Sequence, residues 1–500
     1  MGNNTLDTNN KTSTLASADE TINHGLINIV GFIPTHPGYY HTSILDLPAG
    51  DIIKLAGNFD RIILFDQPVD TWDHWKPLLS TYKIMLELDS LGQHTVFKNN
   101  DNIKKFSLFY KMITENKSFC IYPWILLTEE NNYVPLCTRS THKKVTTIKE
   151  LKDWRTDPEY KKIRAKMLAG EKLPDHCQQC YDYESRGIES SRMFETMDWI
   201  SKLDIESIED LENIQHPYYY EIRLSNKCNL KCRSCKPEHS HLIDKEFKKF
   251  NIVYPSEQSF AYSNFDHVDI DSLTPYTRIY IAGGEPTVIP EFYAFMEECI
   301  RRGKTDFDLT VGTNAVKLSP RFLKLTDHFT NMNFSVSVDG HGLINDYSRW
   351  GSDFDTVMKN AQILKSRGHT VSFLTVPGIY NVTNLHLLFE YLDKEFPDAG
   401  MYLQINHFGL ESAYNHPTSQ LVIESMKRCR QTKIYYADGR STKTTIDSLF
   451  DYYSNKPVCD IKLLKEFFEF NDKLDQARNV QLINYIPELE DARQYIMVDF

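Results

Sequence analysis

The sequence predicts an α/β fold: a partial (β/α)6 barrel of the TIM type, preceded by a cysteine-rich region and a small N-terminal α/β module. Three observations predict it. Six short strand-like segments alternate with amphipathic helical patterns between residues 215 and 408. Seven of the ten cysteines fall between Cys120 and Cys235, ahead of and into that alternation. Further upstream, INIVGFI (Ile27–Ile33) and RIILFD (Arg61–Asp66) are β-branched segments bounded by turn residues, as buried strands are.

A chain of 500 residues has room for two to four domains and at least one sizeable core. Its 41% hydrophobic and 25% charged residues are ordinary for a globular protein. With 56 basic against 68 acidic residues the formal charge is −12, which argues against a nucleic-acid-coating surface. Residues 1–22 are polar and read as a disordered lead, without the basic-then-apolar order of a signal peptide. No apolar run approaches the roughly 18 residues of a membrane span, so a cytoplasmic protein with no membrane partner is expected. In that setting clustered thiols point to metal binding or chemistry more than to disulfides.

The elements follow in order. Residues 23–111 form the small α/β module, with a helix expected over Trp72–Leu88. Its segment HPGYYHTS brings His36, His41 and Ser43 together, read as a loop closing the module more than as a hydrolase site. Residues 112–200 carry Cys120, Cys137, Cys177 and Cys180 in little regular structure. Residues 215–408 form the barrel, with strands expected at Tyr219–Ser225, Arg278–Ala282, Asp308–Thr313, Asn333–Asp339, Thr370–Val376 and Met401–Asn406. Helical patterns such as EFYAFMEECIRRG and DFDTVMKNAQILKSRG lie between them and end at Gly, as helix C-termini do. Residues 409–500 read as mostly helical, with an apolar core stripe of Ile461, Leu464, Phe467, Phe468 and Leu474. Cys299 is expected in the core, Cys429 and Cys459 in core or surface, and the basic run Lys245–Lys249 on a solvated face.

The chemistry concentrates at CNLKCRSC, where Cys228, Cys232 and Cys235 follow the first barrel strand with spacing C-x3-C-x2-C. Barrel sites form at the C-terminal ends of strands. Three thiolates can hold three irons of a cubane and leave the fourth open to an external ligand. A structural zinc site, with His239 as fourth ligand, is the alternative, although zinc favours two spaced pairs. The second strand ends in AGGEPT, where Gly283 and Gly284 permit close backbone approach. Glu285, before Pro286, can accept hydrogen bonds from an ammonium group.

Together these residues resemble the radical S-adenosylmethionine (SAM) superfamily over the whole barrel region. The resemblance implies a [4Fe–4S] cluster on Cys228, Cys232 and Cys235 whose open iron chelates SAM. An electron from the reduced cluster would then cleave the sulfonium to a 5′-deoxyadenosyl radical. It also implies SAM-binding roles for Gly283, Gly284, Glu285 and Pro286, and for Thr313 and Asn314 after the third strand. Ser337 and Asp339, at the end of the fourth strand, join the implied SAM-binding residues, and the pattern of Ser337 with Arg349 twelve residues on resembles the SAM-carboxylate contacts of peptide- and protein-modifying members. The chain departs from the family at Ser234, where many members have an aromatic residue.

The text around Cys120, Cys137, Cys177 and Cys180 resembles the twitch/SPASM-type members that carry an auxiliary cluster, here placed ahead of the barrel. A second [4Fe–4S] cluster is the implied occupant and zinc the alternative. Two departures are the Asn131-Asn132 turn and the single cysteine at Cys137.

The leading functional expectation is hydrogen abstraction from a peptide or protein residue, with an electron donor such as flavodoxin or ferredoxin as partner. The same chemistry on a sugar, nucleotide or other small-molecule substrate is the second. A non-catalytic metal-bearing interaction protein is the third, and no catalytic side chain is assigned.

Overall fold

The computed structural model describes residues 27–28, 62–65, 85–88, 94–98 and, with breaks, 113–498. The chain divides into two compact units, one of residues 1–125, 139–142 and 153–215, the other of 126–138, 143–152 and 216–500.

In the first unit, β1 (Ile27–Asn28), β2 (Ile62–Phe65), β3 (Met85–Leu88) and β4 (His94–Lys98) form a sheet of order β1-β2-β4-β3. Both expected N-terminal strands contribute to it. The helix expected over Trp72–Leu88 is corrected at its end, because Met85–Leu88 is extended and pairs antiparallel with β4. MLEL alternates at period two as well as fitting a helix, and pairing with HTVFK decides between them. The residues before Met85 in that segment, and His36, His41 and Ser43, lie outside the described residues.

The cysteine-rich stretch is more regular than expected. Helices span Pro158–Leu168, Pro174–Ser185 and Ser191–Leu203. The first begins at Asp157, whose carboxylate accepts the Glu159 and Tyr160 amides, with Pro158 at the first helical position. Buried Arg164 donates to the carbonyls of Pro123 and Trp154 from that helix. Asp157-Pro158 is thus a helix start signal carried by the sequence itself.

The second unit is built on seven parallel strands. These are β5 (Leu126–Glu129), β8 (Tyr219–Arg223), β9 (Arg278–Ala282), β10 (Asp308–Thr313), β11 (Met332–Ser337), β12 (Thr370–Thr375) and β13 (Met401–Leu403). A two-stranded ribbon of β6 (Tyr133–Val134) and β7 (Thr146–Thr147) follows β5. In the sheet, β8 to β13 lie side by side in chain order, with β5 added beside β8. The six expected barrel strands are all present. The seventh is not foreseen because LLTE is short, carries no alternation, and sits in the cysteine region. It is held by register with β8 and by His267, which meets the buried Glu129 carboxylate.

One row across this sheet, Glu221, Tyr280, Thr310 and Asn333, is polar and half-buried. The neighbouring residues Ile222, Ile279, Ile281, Leu309 and Val311 are buried. The sheet therefore has an apolar side and a polar side. Helix Pro290–Arg301 buries Phe292, Phe295, Met296 and Cys299, and helix Phe354–Ser366 buries Val357, Met358, Ala361 and Leu364. Both are followed by a glycine of positive φ, Gly303 and Gly368. Beyond β13 the described chain is mostly helical. Its longest helix, Ile461–Arg478, buries Leu464, Phe467, Phe468 and Leu474 as expected, while Ile461 at the first turn is 52% exposed.

Candidate functional site

The loop after β8 carries the cysteine triple, and its backbone is fixed by neighbours from three directions. Within the loop, the Cys228 amide donates to His241 Nδ1 at 3.2 Å, the Leu230 amide to Cys228 Sγ at 3.4 Å, and the Ser240 hydroxyl to the Leu230 carbonyl at 2.8 Å. All three thiols are free and half-buried. Burial pushes the Cys228 thiol up to about 12, with Cys232 adding to the rise. Cys235 is raised as well, by burial and then by both other cysteines, so the three thiols share one environment. Among the described residues, no three His, Cys, Asp or Glu side chains converge as ligands of a single metal ion.

The end of β9 closes on the start of this loop. Gly283 and Gly284 both have positive φ, and a Cβ on Gly284 would stand 2.2 Å from the Lys227 carbonyl oxygen. The Glu285 amide donates to that same oxygen at 2.8 Å. Only glycine permits this approach, which ties GGEP to the residue before Cys228. The Glu285 side chain turns the other way, into the protein. Its carboxylate, 1% exposed, accepts from the Thr287 hydroxyl (2.8 Å), the Thr313 hydroxyl (2.7 Å) and the Asn314 amide (2.7 Å). Burial raises its pKa against those hydrogen bonds. Glu285 thus braces the ends of β9 and β10 together, and Asn314 Nδ2 carries the brace to Asn229 Oδ1 inside the cysteine loop at 2.8 Å. Pro286 opens the short 3-10 turn that Glu285 caps.

The third side is Tyr347–Trp350. The Lys231 amide donates to the Trp350 carbonyl at 2.9 Å and the Arg233 amide to the Ser348 carbonyl at 2.7 Å, so Arg349 lies opposite Cys232. The Arg349 Nη1 donates to the buried Asp339 carboxylate at 2.9 Å, and its Nε is buried with no hydrogen-bond partner. Burial would lower the Arg349 pKa, but Cys232, Asp339 and Cys228 more than reverse this and leave it raised. Asp339 is itself fixed by the Val376 amide at 3.0 Å. Ser337 ends β11, half-buried, two residues before Asp339.

The structure therefore brings Cys228, Cys232, Cys235, Gly283, Gly284, Glu285, Thr313, Asn314, Asp339 and Arg349 into one connected group at the C-terminal ends of β8 to β11. Sequence reasoning missed His241, Asn229 and the two non-cysteine residues Lys231 and Arg233. Arg233 is 1% exposed and donates to the Tyr347 carbonyl, Asn471 and Asp475. A charged residue between two clustered cysteines was the available signal. The other four candidate ligands lie ahead of β8 in the chain. Cys177 and Cys180 lie one turn apart on helix Pro174–Ser185, and Cys120 precedes the short helix Tyr122–Ile125. Cys137 belongs to the other compact unit. Cys299 and Cys429 are buried in helices, as expected of core residues.

The cysteine loop suits an iron–sulfur cluster with SAM: three free thiols in one environment, a buried guanidinium with an unpaired N–H beside them, and a glycine pair that no side chain could replace. No described helix is long and apolar enough to cross a membrane.

Comparison with known protein families agrees with this reading. Residues 222–388 match the family model of the Radical SAM superfamily. No curated protein matches the sequence. Among solved structures, native anSMEcpe with bound AdoMet is 15% identical with a TM-score of 0.32, covering 42% of this chain and 58% of that one. Streptococcus suis SuiB bound to S-adenosylmethionine is 15% identical with a TM-score of 0.29, covering 51% and 56%. SuiB bound to precursor peptide SuiA is 15% identical with a TM-score of 0.30, covering 63% and 64%. The chain thus spans less than two thirds of the length of each. The family match falls on the strands and loops that carry the cysteine triple, GGEP and Arg349, and the chain carries a radical SAM domain.

Proposed function

We propose that the protein is a radical SAM enzyme that abstracts hydrogen from a peptide or protein residue, with Cys228, Cys232 and Cys235 holding a [4Fe–4S] cluster. The observation that carries the reading is the placement of Arg349 opposite Cys232, with an unpaired guanidinium N–H in a buried setting. A carboxylate suits that N–H, and the SAM carboxylate is one. When bound, cluster and SAM supply the reductive cleavage that yields a 5′-deoxyadenosyl radical.

The chain's own residues bind and orient. Asp339 fixes the Arg349 fork and is fixed in turn by the Val376 amide. Gly283 and Gly284 bring the chain after β9 against the cysteine loop, leaving that edge bare of side chains. Glu285, Thr313 and Asn314 hold the neighbouring strand ends in register and Asn229 in place. Asp339, Glu285 and Arg349 are largely buried, so their hydrogen bonds act at low local dielectric. Cys120, Cys137, Cys177 and Cys180 are the ligands we assign to a second [4Fe–4S] cluster, by the resemblance of the surrounding sequence.

Deuterium transfer tests the substrate class. The anaerobic, iron-loaded enzyme is given SAM, dithionite and candidate peptides deuterated at carbon, and deoxyadenosine is weighed by mass spectrometry. A mass gain of one from a peptide supports the reading. Deuterium arriving only from a labelled sugar, nucleotide or other metabolite overturns it. Iron content tests the second cluster, with about eight irons per chain expected and about four opposing it.

A further inference from the structure

The helix Ile461–Arg478, which lies beyond the matched domain, reaches the cysteine loop with a second guanidinium. Phe470, Leu474 and Arg478 are spaced by four and share one face of that helix. Phe470 and Leu474 pack in the same apolar cluster as Cys235, Ile243, Phe247 and Ile252. One turn further, Arg478 is buried, with its side chain 1% exposed. Its Nη2 donates to Glu246 Oε2 at 2.7 Å, and Glu246 Oε1 takes Lys231 Nζ at 2.6 Å. The Arg478 guanidinium also lies 5.8 Å from the Trp350 ring, next to Arg349. Its Nη1 is buried and makes no hydrogen bond.

Lys231 and Trp350 are joined by a backbone hydrogen bond on one side of Cys232. Arg478 is linked to the first through Glu246 and lies over the ring of the second. The group Lys231–Glu246–Arg478 holds two cations for one carboxylate, and so leaves a net positive charge beside Cys232. Arg349–Asp339 and Arg233–Asp475 are each balanced pairs.

We propose that Arg478 is a positioning residue of the cysteine site, contributed by the helical region after the barrel, whose charge favours the reduced form of a cluster on Cys228, Cys232 and Cys235. The inference rests on the cluster assignment above. Reduction adds one negative charge, which a fixed nearby cation stabilises at low dielectric. Glu246, pairing with that cation, moderates it. Its own acidity is enhanced, because Arg478 and Lys231 outweigh the effect of burial.

The test is the midpoint potential of that cluster in the anaerobically reconstituted full chain, read by electron paramagnetic resonance. The signal abolished by Cys232→Ala identifies the cluster. Arg478→Gln should make the potential more negative, Glu246→Gln less negative, and Arg478→Lys should leave it near wild type, all at unchanged iron content. A merely structural disturbance would not give opposite signs. Potentials that stay at the wild-type value, or move the same way in Arg478→Gln and Glu246→Gln, overturn the proposal. If Arg478→Gln takes up no iron, Glu246→Gln and Arg478→Lys decide it by the same two expectations. A wild-type protein with no signal sensitive to Cys232→Ala would instead refute the cluster assignment itself.

Discussion

Arg233 Nη2 donates to Asp475 Oδ1 at 2.5 Å across 242 residues of sequence, joining the cysteine loop to the helix after the barrel. Each guanidinium nitrogen donates: Nη1 reaches Asn471 at 2.8 Å and Nε the Tyr347 carbonyl at 3.0 Å, while Cζ lies 3.6 Å from the Tyr347 ring centroid. Asp475 also accepts the Tyr347 hydroxyl at 2.9 Å and the Leu482 amide at 2.7 Å. Breaking a buried pair leaves an uncompensated charge, which costs about 3–5 kcal/mol. Arg233→Met and Asp475→Asn should each lower the stability of the iron-free protein by about that much in urea unfolding. The double variant should lose clearly less than the sum. Singles that each cost under about 1 kcal/mol, the worth of an exposed pair, would contradict this account.

Gly284 and Gly303 separate conformation from contact. Both have positive φ, but a Cβ on Gly303 meets nothing within 4 Å, whereas one on Gly284 strikes the Lys227 carbonyl. Gly303→Ala should therefore cost about 1–2 kcal/mol, the left-handed penalty alone. Gly284→Ala should cost more and should also reduce iron retention, since Lys227 precedes Cys228. Equal thermal shifts in the two variants would refute the close-approach argument.

His416 makes the stability of the barrel-bearing unit sensitive to acid. It is fully buried, its Nδ1 accepts the Thr418 amide at 3.1 Å, and its Nε2 has no partner. Burial pulls its pKa down to about 3. The unfolded chain takes up this proton below about pH 6.5 and the folded chain does not until about pH 3. Stability at this residue is thus full above the unfolded value. It falls as pH drops through the window between the two, by about 1.4 kcal/mol per pH unit. Urea unfolding at pH 7 and pH 5 should show a shallower pH dependence for His416→Asn than for wild type. Identical slopes would contradict the assignment.

Much of this was legible in the sequence. The barrel strands could be read because each is β-branched or aromatic and separated from the next by a helical repeat ending near Gly. Arg278–Ala282 and Asp308–Thr313 fall where expected, residue for residue. The cysteine triple, GGEP and Arg349 could be read because rare residue types recur at fixed spacing. What escaped depended on partners far away in the chain. LLTE becomes a strand only beside β8, and Met85–Leu88 only beside β4. Glu246 sits in a basic run whose lysines are exposed as expected, yet it is buried, because Arg478, 232 residues on, meets it there. Glu285 suits an ammonium ligand on paper, but folding surrounds its carboxylate with Thr287, Thr313 and Asn314. Periodicity reports which face is buried and says nothing of which charges meet.

The most direct test of the central claim is formation of 5′-deoxyadenosine from SAM by the protein purified without oxygen, loaded with iron and sulfide, and reduced with dithionite. The wild-type chain should produce it. Cys232→Ala should abolish it while retaining the iron bound by the upstream cysteines. Zinc in place of iron at the triple, with no deoxyadenosine from any wild-type preparation, would contradict the account.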